Sequence, residues 1–182
     1  DVCREEGVAL YTDCKSREVP AKGQVVKQFT LLEPVLDCDV IINLPKLKTH
    51  MMTGLSAATK NLFGCIPGLQ KAEWHMRFPD KERSGGMLVD LLCTVKPGFA
   101  ILDGILAQEG DGQAGGTPRL VGIVAAAEDH LQMDLALCRM LGIRPKDVPY
   151  LNAAISRGPG PEHFAPASPT RAAEIGPPLT GS

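Results

Sequence analysis

The sequence predicts a layered α/β domain in which a mainly parallel sheet is flanked by helices. Three apolar runs with β-branched residues predict buried strands at Asp39–Leu44, Phe99–Ile105 and Leu120–Ala127. Helical patterns separate these runs, and strands that alternate with helices at this spacing are typical of layered α/β folds. We therefore expect ligands at the carboxyl ends of the strands.

The N-terminal part is predicted to contain two short strands and one short helix. Val8–Thr12 and Gln24–Phe29 are β-prone runs, and Leu31–Leu36 follows as a helix. Asp39–Leu44 has the continuous apolar character of a strand covered on both faces. Pro45 is expected to end that strand.

Four helices are predicted in the rest of the chain. Thr53–Phe63 has a possible cap at Thr53 and places three apolar residues on one face. Met87–Val95 is the second helix, and Asp129–Leu141 is the third, with Gly142 as its stop. Val148–Ser156 is the fourth.

Length and composition favour a single α/β domain at residues 1–157. Residues 158–182 are rich in Pro, Gly, Ala and Ser, which predicts a tail or linker. The chain opens without Met and runs almost at once into strand-like sequence. It is therefore expected to be an excised part of a longer protein.

Charge and cysteine content narrow the class of protein. A formal net charge of −2 gives no reason to expect nucleic acid as a partner. No apolar run approaches the roughly 18–20 residues that a membrane span requires. The six cysteines are dispersed without metal-binding spacing, which predicts reduced thiols in a cytoplasmic protein.

Two lysines follow the first buried strand. If the strand geometry persists, Lys46 and Lys48 face the same side, and the amides of the next predicted helix lie nearby. The pair would then anchor a small anionic molecule, a carboxylate or a phosphate. The alternative is two solvated loop lysines.

The next predicted helix carries a third lysine with polar neighbours. Lys60 lies one turn from Ser56 and next to Asn61, and His50 and His75 flank the helix. A partly desolvated amine can act as nucleophile, base or anion anchor, and a histidine can transfer protons or bind a metal. The alternative is a surface lysine with two structural histidines.

A glycine-rich loop follows the second buried strand. Asp103, Glu109 and Asp111 lie at its rim and are candidate ligands of a divalent cation. The alternative is a flexible connection. Asp134, on the last long helix, either completes an acidic cluster or is solvated.

Four blocks in order resemble the domain of unknown function 362 family: DVIINLPKLKTH, GLSAATKNLFGCIPG, ILDGILAQEGDGQAGG and MDLALCRMLG. The match covers roughly residues 8–158. The resemblance implies a cytosolic protein, often joined to ferredoxin-type modules that hold a 4Fe–4S cluster. Members usually begin with a further strand and lysine-bearing loop, which supports the interpretation as a fragment.

The lysine-bearing block is also similar, more faintly, to the nickel-pincer lactate racemase family. The matching positions are His50, Gly54, Ser56, Lys60, Pro67-Gly68 and His75. In that family the lysine tethers the cofactor, the first histidine transfers protons and the last binds nickel. This sequence departs from the family at Asn61 and at the Lys46/Lys48 pair.

Together these features predict an enzyme or enzyme subunit that acts on a small carboxylate-bearing substrate in an iron–sulfur-linked redox context. Lys60 and His50 are the expected catalytic residues, and Lys46, Lys48, Asn61 and Ser56 the expected substrate contacts. The alternatives are a noncatalytic ligand-binding or scaffold module that docks an electron carrier, and a racemase-like nickel enzyme. A scaffold would leave Lys60 and His50 dispersed and exposed, whereas an enzyme would gather them around one pocket.

Overall fold

The structure, a computed structural model, describes residues 2–110 and 115–158, without the side chains of residues 69, 72 and 75. Its strands are β1 Ser16–Pro20, β2 Gln28–Leu32, β3 Ile42–Asn43, β4 Lys46–His50, β5 Gly54–Ser56, β6 Phe99–Glu109 and β7 Thr117–Ala127. Its α-helices are α1 Val2–Glu5, α2 Glu33–Asp37, α3 Ala58–Asn61, α4 Gly68–Arg77, α5 Lys81–Val95, α6 His130–Leu141 and α7 Pro149–Ser156. Single 3₁₀ turns occur at Leu62–Cys65 and Pro145–Asp147.

A mixed sheet of five of the described strands forms the centre of the fold. β7 pairs antiparallel with β6, while β3 and β4 pair parallel with β6, and β5 pairs antiparallel with β4. Three of the five strands thus share one direction, and helices flank the sheet. The predicted α/β fold with a mainly parallel sheet is confirmed.

β3 and β4 are two parts of one interrupted strand. Ile42 pairs with Phe99, Asn43 with Ala100 and Lys46 with Asp103, a constant offset along β6. Pro45, between the two parts, accepts a hydrogen bond from the Asp103 amide at 2.9 Å. As predicted, the strand stops before Pro45, whose nitrogen has no hydrogen to donate. Pairing with β6 then resumes at Lys46, because the Pro45 carbonyl still accepts.

The prediction that Asp39–Leu44 is covered on both faces is wrong. Ile42 and Leu44 are 58% and 68% exposed. Along β6, Ala100 and Leu102 are buried, whereas Ile101 and Ile105 are exposed. Among the described residues, one face of the sheet packs on the core and the other is open.

The first two strands, β1 and β2, lie later in the chain than predicted and pair antiparallel with each other. Val8–Thr12 is irregular and exposed rather than a strand, and the predicted strand Gln24–Phe29 is replaced by β2. The amides of Gln24, Val25 and Val26 donate to the Asp90 carboxylate at 3.0, 2.7 and 2.8 Å. These amides are therefore occupied by a helix side chain and do not join a sheet.

The predicted helix Thr53–Phe63 is replaced by a turn, β5, α3 and a 3₁₀ turn. Gly54 has φ +69°, a left-handed conformation that glycine tolerates and that opens the hairpin from β4. The hydroxyl of Thr53 donates to the Leu55 carbonyl and caps no helix. Pairing with β4 therefore prevails over the helical pattern.

The remaining predicted helices occur, with shifted ends. Glu33–Asp37 replaces Leu31–Leu36, α5 begins six residues before Met87, and Asp129 caps α6 by accepting from two amides. Gly142 ends α6 with φ +68°, as predicted. α4 was not predicted.

α5 and α7 pack closely at Gly85. A side chain on this glycine would lie 2.4 Å from the Pro149 carbonyl, so only glycine permits this contact. The core beneath the sheet is formed by apolar residues from β2, β6 and the helices, including Phe29, Leu88, Leu102, Leu137 and Tyr150. Within the described residues, no helix is both long and apolar enough to cross a bilayer.

Candidate functional site

The short helix α3 positions Lys60 and is capped by a residue far away in sequence. Its own N-cap residue, Ala57, offers no side-chain acceptor. Asp134 of α6 takes that role, because its carboxylate accepts from the amides of Ala58 and Thr59 at 2.9 Å each. Burial raises the pKa of Asp134 to about 6, although the bonds to Thr59 and Ala58 oppose this rise.

The amine of Lys60 is buried in mainly apolar surroundings. Lys60 is 8% exposed, and its Nζ atom lies 4.5 Å from the centre of the Phe63 ring. Burial lowers the pKa of Lys60 to about 8, with further contributions from the positive charges of Lys71 and Lys48. Within the described residues, no carboxylate forms an ion pair with Lys60.

His50 lines the same small cavity as Lys60. The volume of the cavity is about 10 Å³, room for about one water molecule. His50 Nδ1 accepts from the amides of Met52 and Thr53 at 3.2 Å each, so this nitrogen carries no proton. The neutral ring therefore carries its hydrogen on Nε2, as a donor.

Cross-strand pairing places two more predicted residues beside His50. Lys48 of β4 lies opposite Ser56 of β5, and His50 lies opposite Gly54. Since directly paired residues and alternate residues of a strand share a face, Lys48, Ser56 and His50 lie on one face of the hairpin.

Lys46 lies apart from this group. Its ammonium donates to the Asp103 carboxylate at 2.6 Å, with both side chains about half exposed. This hydrogen bond, together with one from the Ile105 amide, holds the pKa of Asp103 below its usual value. The register against β6 shifts between Lys46 and Lys48, which interrupts the regular alternation of the strand.

Asn61 joins the frame beneath the site. Its amide nitrogen donates to the Asn43 side-chain oxygen at 2.7 Å, and Asn43 in turn donates to the Ala58 carbonyl at 2.8 Å. These two bonds tie α3 to β3.

The predicted cation ligands do not gather at one point among the described residues. Glu109 pairs with Arg119 at 2.7 Å and lies six residues beyond Asp103 on the same strand, roughly 20 Å away. Asp111 lies outside the described residues, as does the side chain of His75 in α4. In the described part of the chain, no three His, Cys, Asp or Glu side chains form a group suited to a metal ion.

Two buried aspartates were not identified as positioning residues from the sequence. Asp134 holds α3, and Asp90 accepts from three amides and from Arg157 at 2.7 Å. Both are fully buried. One sequence signal could have identified such a residue: an acid that lies on the apolar face of a predicted helix. Asp134 is an example, since it lies three residues from both Leu131 and Leu137.

Comparisons with known proteins identify relatives of this chain. The model of the family described as "Domain of unknown function (DUF362)" matches residues 1–139. The thylakoid-associated protein sll1697 of Synechocystis sp. is 42% identical over 132 residues, which are 72% of this chain and 41% of that protein. The chain thus spans less than half of that relative's length. No solved structure matches.

Proposed function

The chain belongs to the family of domain of unknown function DUF362. From the geometry around Lys60, we propose that it is an enzyme or enzyme subunit acting on a small carboxylate-bearing substrate. The observation that carries the proposal is Lys60, a buried amine with two lysines near it and no carboxylate partner among the described residues. A buried cation without a counter-ion is costly, and functional sites are where such perturbed groups cluster.

Charge supports an anionic ligand. Lys48 and Lys71 are close enough to lower the pKa of Lys60, so their positive charges add at this site. A bound carboxylate would offset this repulsion. Lys48 is the proposed anchor, with the Ser56 hydroxyl beside it, whereas Lys46 is a weaker candidate because Asp103 already neutralises it.

The proposed catalytic roles follow from protonation. With its pKa at about 8, roughly a tenth of Lys60 is neutral at pH 7, far more than for an exposed lysine. The neutral amine is the proposed base or nucleophile. His50 is the proposed hydrogen-bond donor through Nε2, and Asn61, tied to Asn43, positions the helix and presents its amide oxygen.

The redox context is proposed to come from a ferredoxin-like partner module. The six cysteines of this chain are all free thiols rather than disulfides. In the described residues they form no group that suits a metal ion. A 4Fe–4S cluster would therefore be held by the partner's cysteines.

The rival functions receive less support. Lys60 and His50 are both buried and line one cavity. A scaffold would not require this arrangement. The racemase-like function rests on the faint similarity of the lysine-bearing block alone, and the side chain of His75, its expected nickel ligand, lies outside the described residues.

Reductive trapping tests whether Lys60 is a nucleophile. Pyruvate and cyanoborohydride are added at pH 7.5, and the modified lysine is identified by peptide mass mapping. The Lys60 amine would add to the ketone carbonyl, water would leave, and hydride would reduce the imine to a secondary amine. We expect Lys60 to be modified before the exposed lysines.

Two variants serve as controls for this test. Lys60→Met should lose the fast modification and any deuterium exchange at the pyruvate methyl group in D2O, while Lys27→Met, at an exposed lysine, should retain both. Two results together would contradict the proposed role: uniform modification of the exposed lysines with Lys60 unmodified, and deuterium exchange that persists in Lys60→Met.

A further inference from the structure

A second, much larger cavity is lined in part by Lys48. Its volume is about 500 Å³, and it lies between the ends of β4, β6 and β7 and the C-terminal end of α6. The apolar residues that matter here are Leu47, Leu55, Leu120, Met140 and Leu141. This volume is typical of small-molecule sites, which are mostly apolar with a few polar groups.

We propose that this cavity binds the apolar body of an amphipathic monocarboxylate, whose carboxylate pairs with Lys48. The inference deepens the proposed function, on which it rests for the role of Lys48 as an anchor. It assigns the substrate class: a carboxylate that carries an alkyl or aryl group, rather than a small polar acid.

The charges around the cavity match a single negative group. Arg119 at its rim is neutralised by Glu109 at 2.7 Å, whereas no described carboxylate pairs with Lys48. Of the two cations that line this cavity, Lys48 is thus the one without a carboxylate partner among the described residues. A phosphate or diphosphate would carry more charge than this rim offsets.

The position of the cavity also favours a ligand. Lys48 and Thr49 lie near the end of β4, and Gln108 and Glu109 lie at the end of β6, which runs parallel to β4. The carboxyl ends of parallel strands are the usual place for ligands in α/β sheets.

Exposed apolar side chains give the same indication. Leu120 and Met140 are 62% and 52% exposed at this cavity, although each belongs to a regular element. An apolar ligand would remove this surface from water, and such patches are often functional.

Calorimetric titration with saturated carboxylates tests the inference. Acetate, butyrate, hexanoate and octanoate are titrated into the full chain. We expect affinity to rise by up to about fourfold for each buried methylene, because one methylene contributes about 0.8 kcal/mol. Equal affinity along the series would overturn the inference.

Variants locate the binding surface. Leu120→Ser and Met140→Gln, at positions more than half exposed, should each weaken octanoate binding by about fivefold and leave acetate unchanged. Ile155→Ser, at an exposed isoleucine of α7 outside the cavity, is the matched control. Octanoate binding that resists both cavity variants would contradict the site.

The anchor is tested with an uncharged analogue. Wild type should prefer octanoate to octanamide, and Lys48→Met should lose this preference, whereas Lys27→Met should keep it. A preference that survives in Lys48→Met would overturn the assignment of the carboxylate to Lys48.

The two proposals fail in different ways. Chain-length dependence retained in Lys60→Met, with no trapping at Lys60 in wild type, would reject the proposed catalysis and leave the binding cavity standing. Trapping at Lys60 without any chain-length dependence would reject the substrate class alone.

Discussion

Replacing Lys60 by methionine measures the free energy that its buried amine costs the fold. The pKa of Lys60 falls from 10.5 to about 8 on folding, mainly through burial. About 2.5 pH units at 1.36 kcal/mol each amount to about 3 kcal/mol of destabilisation. Methionine has similar length and no charge, so Lys60→Met should stabilise the protein by up to about 3 kcal/mol at pH 7, less the contact with Phe63.

The pH dependence gives this prediction its sign. The folded-state pKa is lower than the unfolded one, so the unfolded state binds more protons between pH 8 and 10.5. The destabilisation caused by the charged amine is at its full value below about pH 8 and decreases as the pH rises towards 10.5. The advantage of Lys60→Met should therefore shrink over the same interval.

Urea unfolding from pH 6 to 10.5 measures this difference. Lys27→Met, at an exposed lysine, should change stability by no more than about 0.5 kcal/mol at any pH. A Lys60→Met variant that is less stable than wild type at pH 7, or a difference independent of pH, would refute the argument. Stabilisation with loss of trapping would mark Lys60 as a residue retained for activity at the expense of stability.

Three further substitutions test the surroundings of the site. Lys48→Met should raise the Lys60 pKa towards its ordinary value, because a like charge is removed; the ¹³Cε chemical shift of Lys60 followed against pH measures this. Asp134→Ala should destabilise the protein by about 2 kcal/mol or more in urea unfolding, since two buried amides of α3 lose their acceptor, whereas an unchanged midpoint would show that the cap is dispensable. Arg157→Ala should cost about 3 kcal/mol by the same assay, because the fully buried Asp90 carboxylate loses its counter-ion; a loss below about 0.5 kcal/mol would contradict this.

The helix ends that local chemistry defines could be predicted from the sequence. Asp129 begins α6, because its carboxylate accepts from first-turn amides, and Gly142 ends it, because glycine adopts positive φ. The segment Thr53–Phe63 shows the limit. Its apolar spacing suits a helix, but pairing of Leu55 with Thr49 makes its first part a strand, and this depends on tertiary contacts that periodicity does not report.

Burial was predicted with similar limits. An apolar run such as Asp39–Leu44 is compatible with one covered face or with two, and the neighbouring layers decide between them. The sequence placed Lys60 and His50 in one segment, and the structure has them around one cavity. The pairing of Lys46 with Asp103 joins residues 57 positions apart, and no local signal predicts it.

The cap on α3 has a consequence for the newly made chain. Asp134 follows Ala58 by 76 residues, and a ribosome adds roughly 5–20 residues per second, so the cap is synthesised roughly four to fifteen seconds after the helix. Until then the amides of Ala58 and Thr59 lack the carboxylate that holds the first turn of α3 in the finished fold. In a translation complex arrested before Asp134, we therefore expect α3 to be less firmly held and Lys60 to be acetylated faster than in the finished chain.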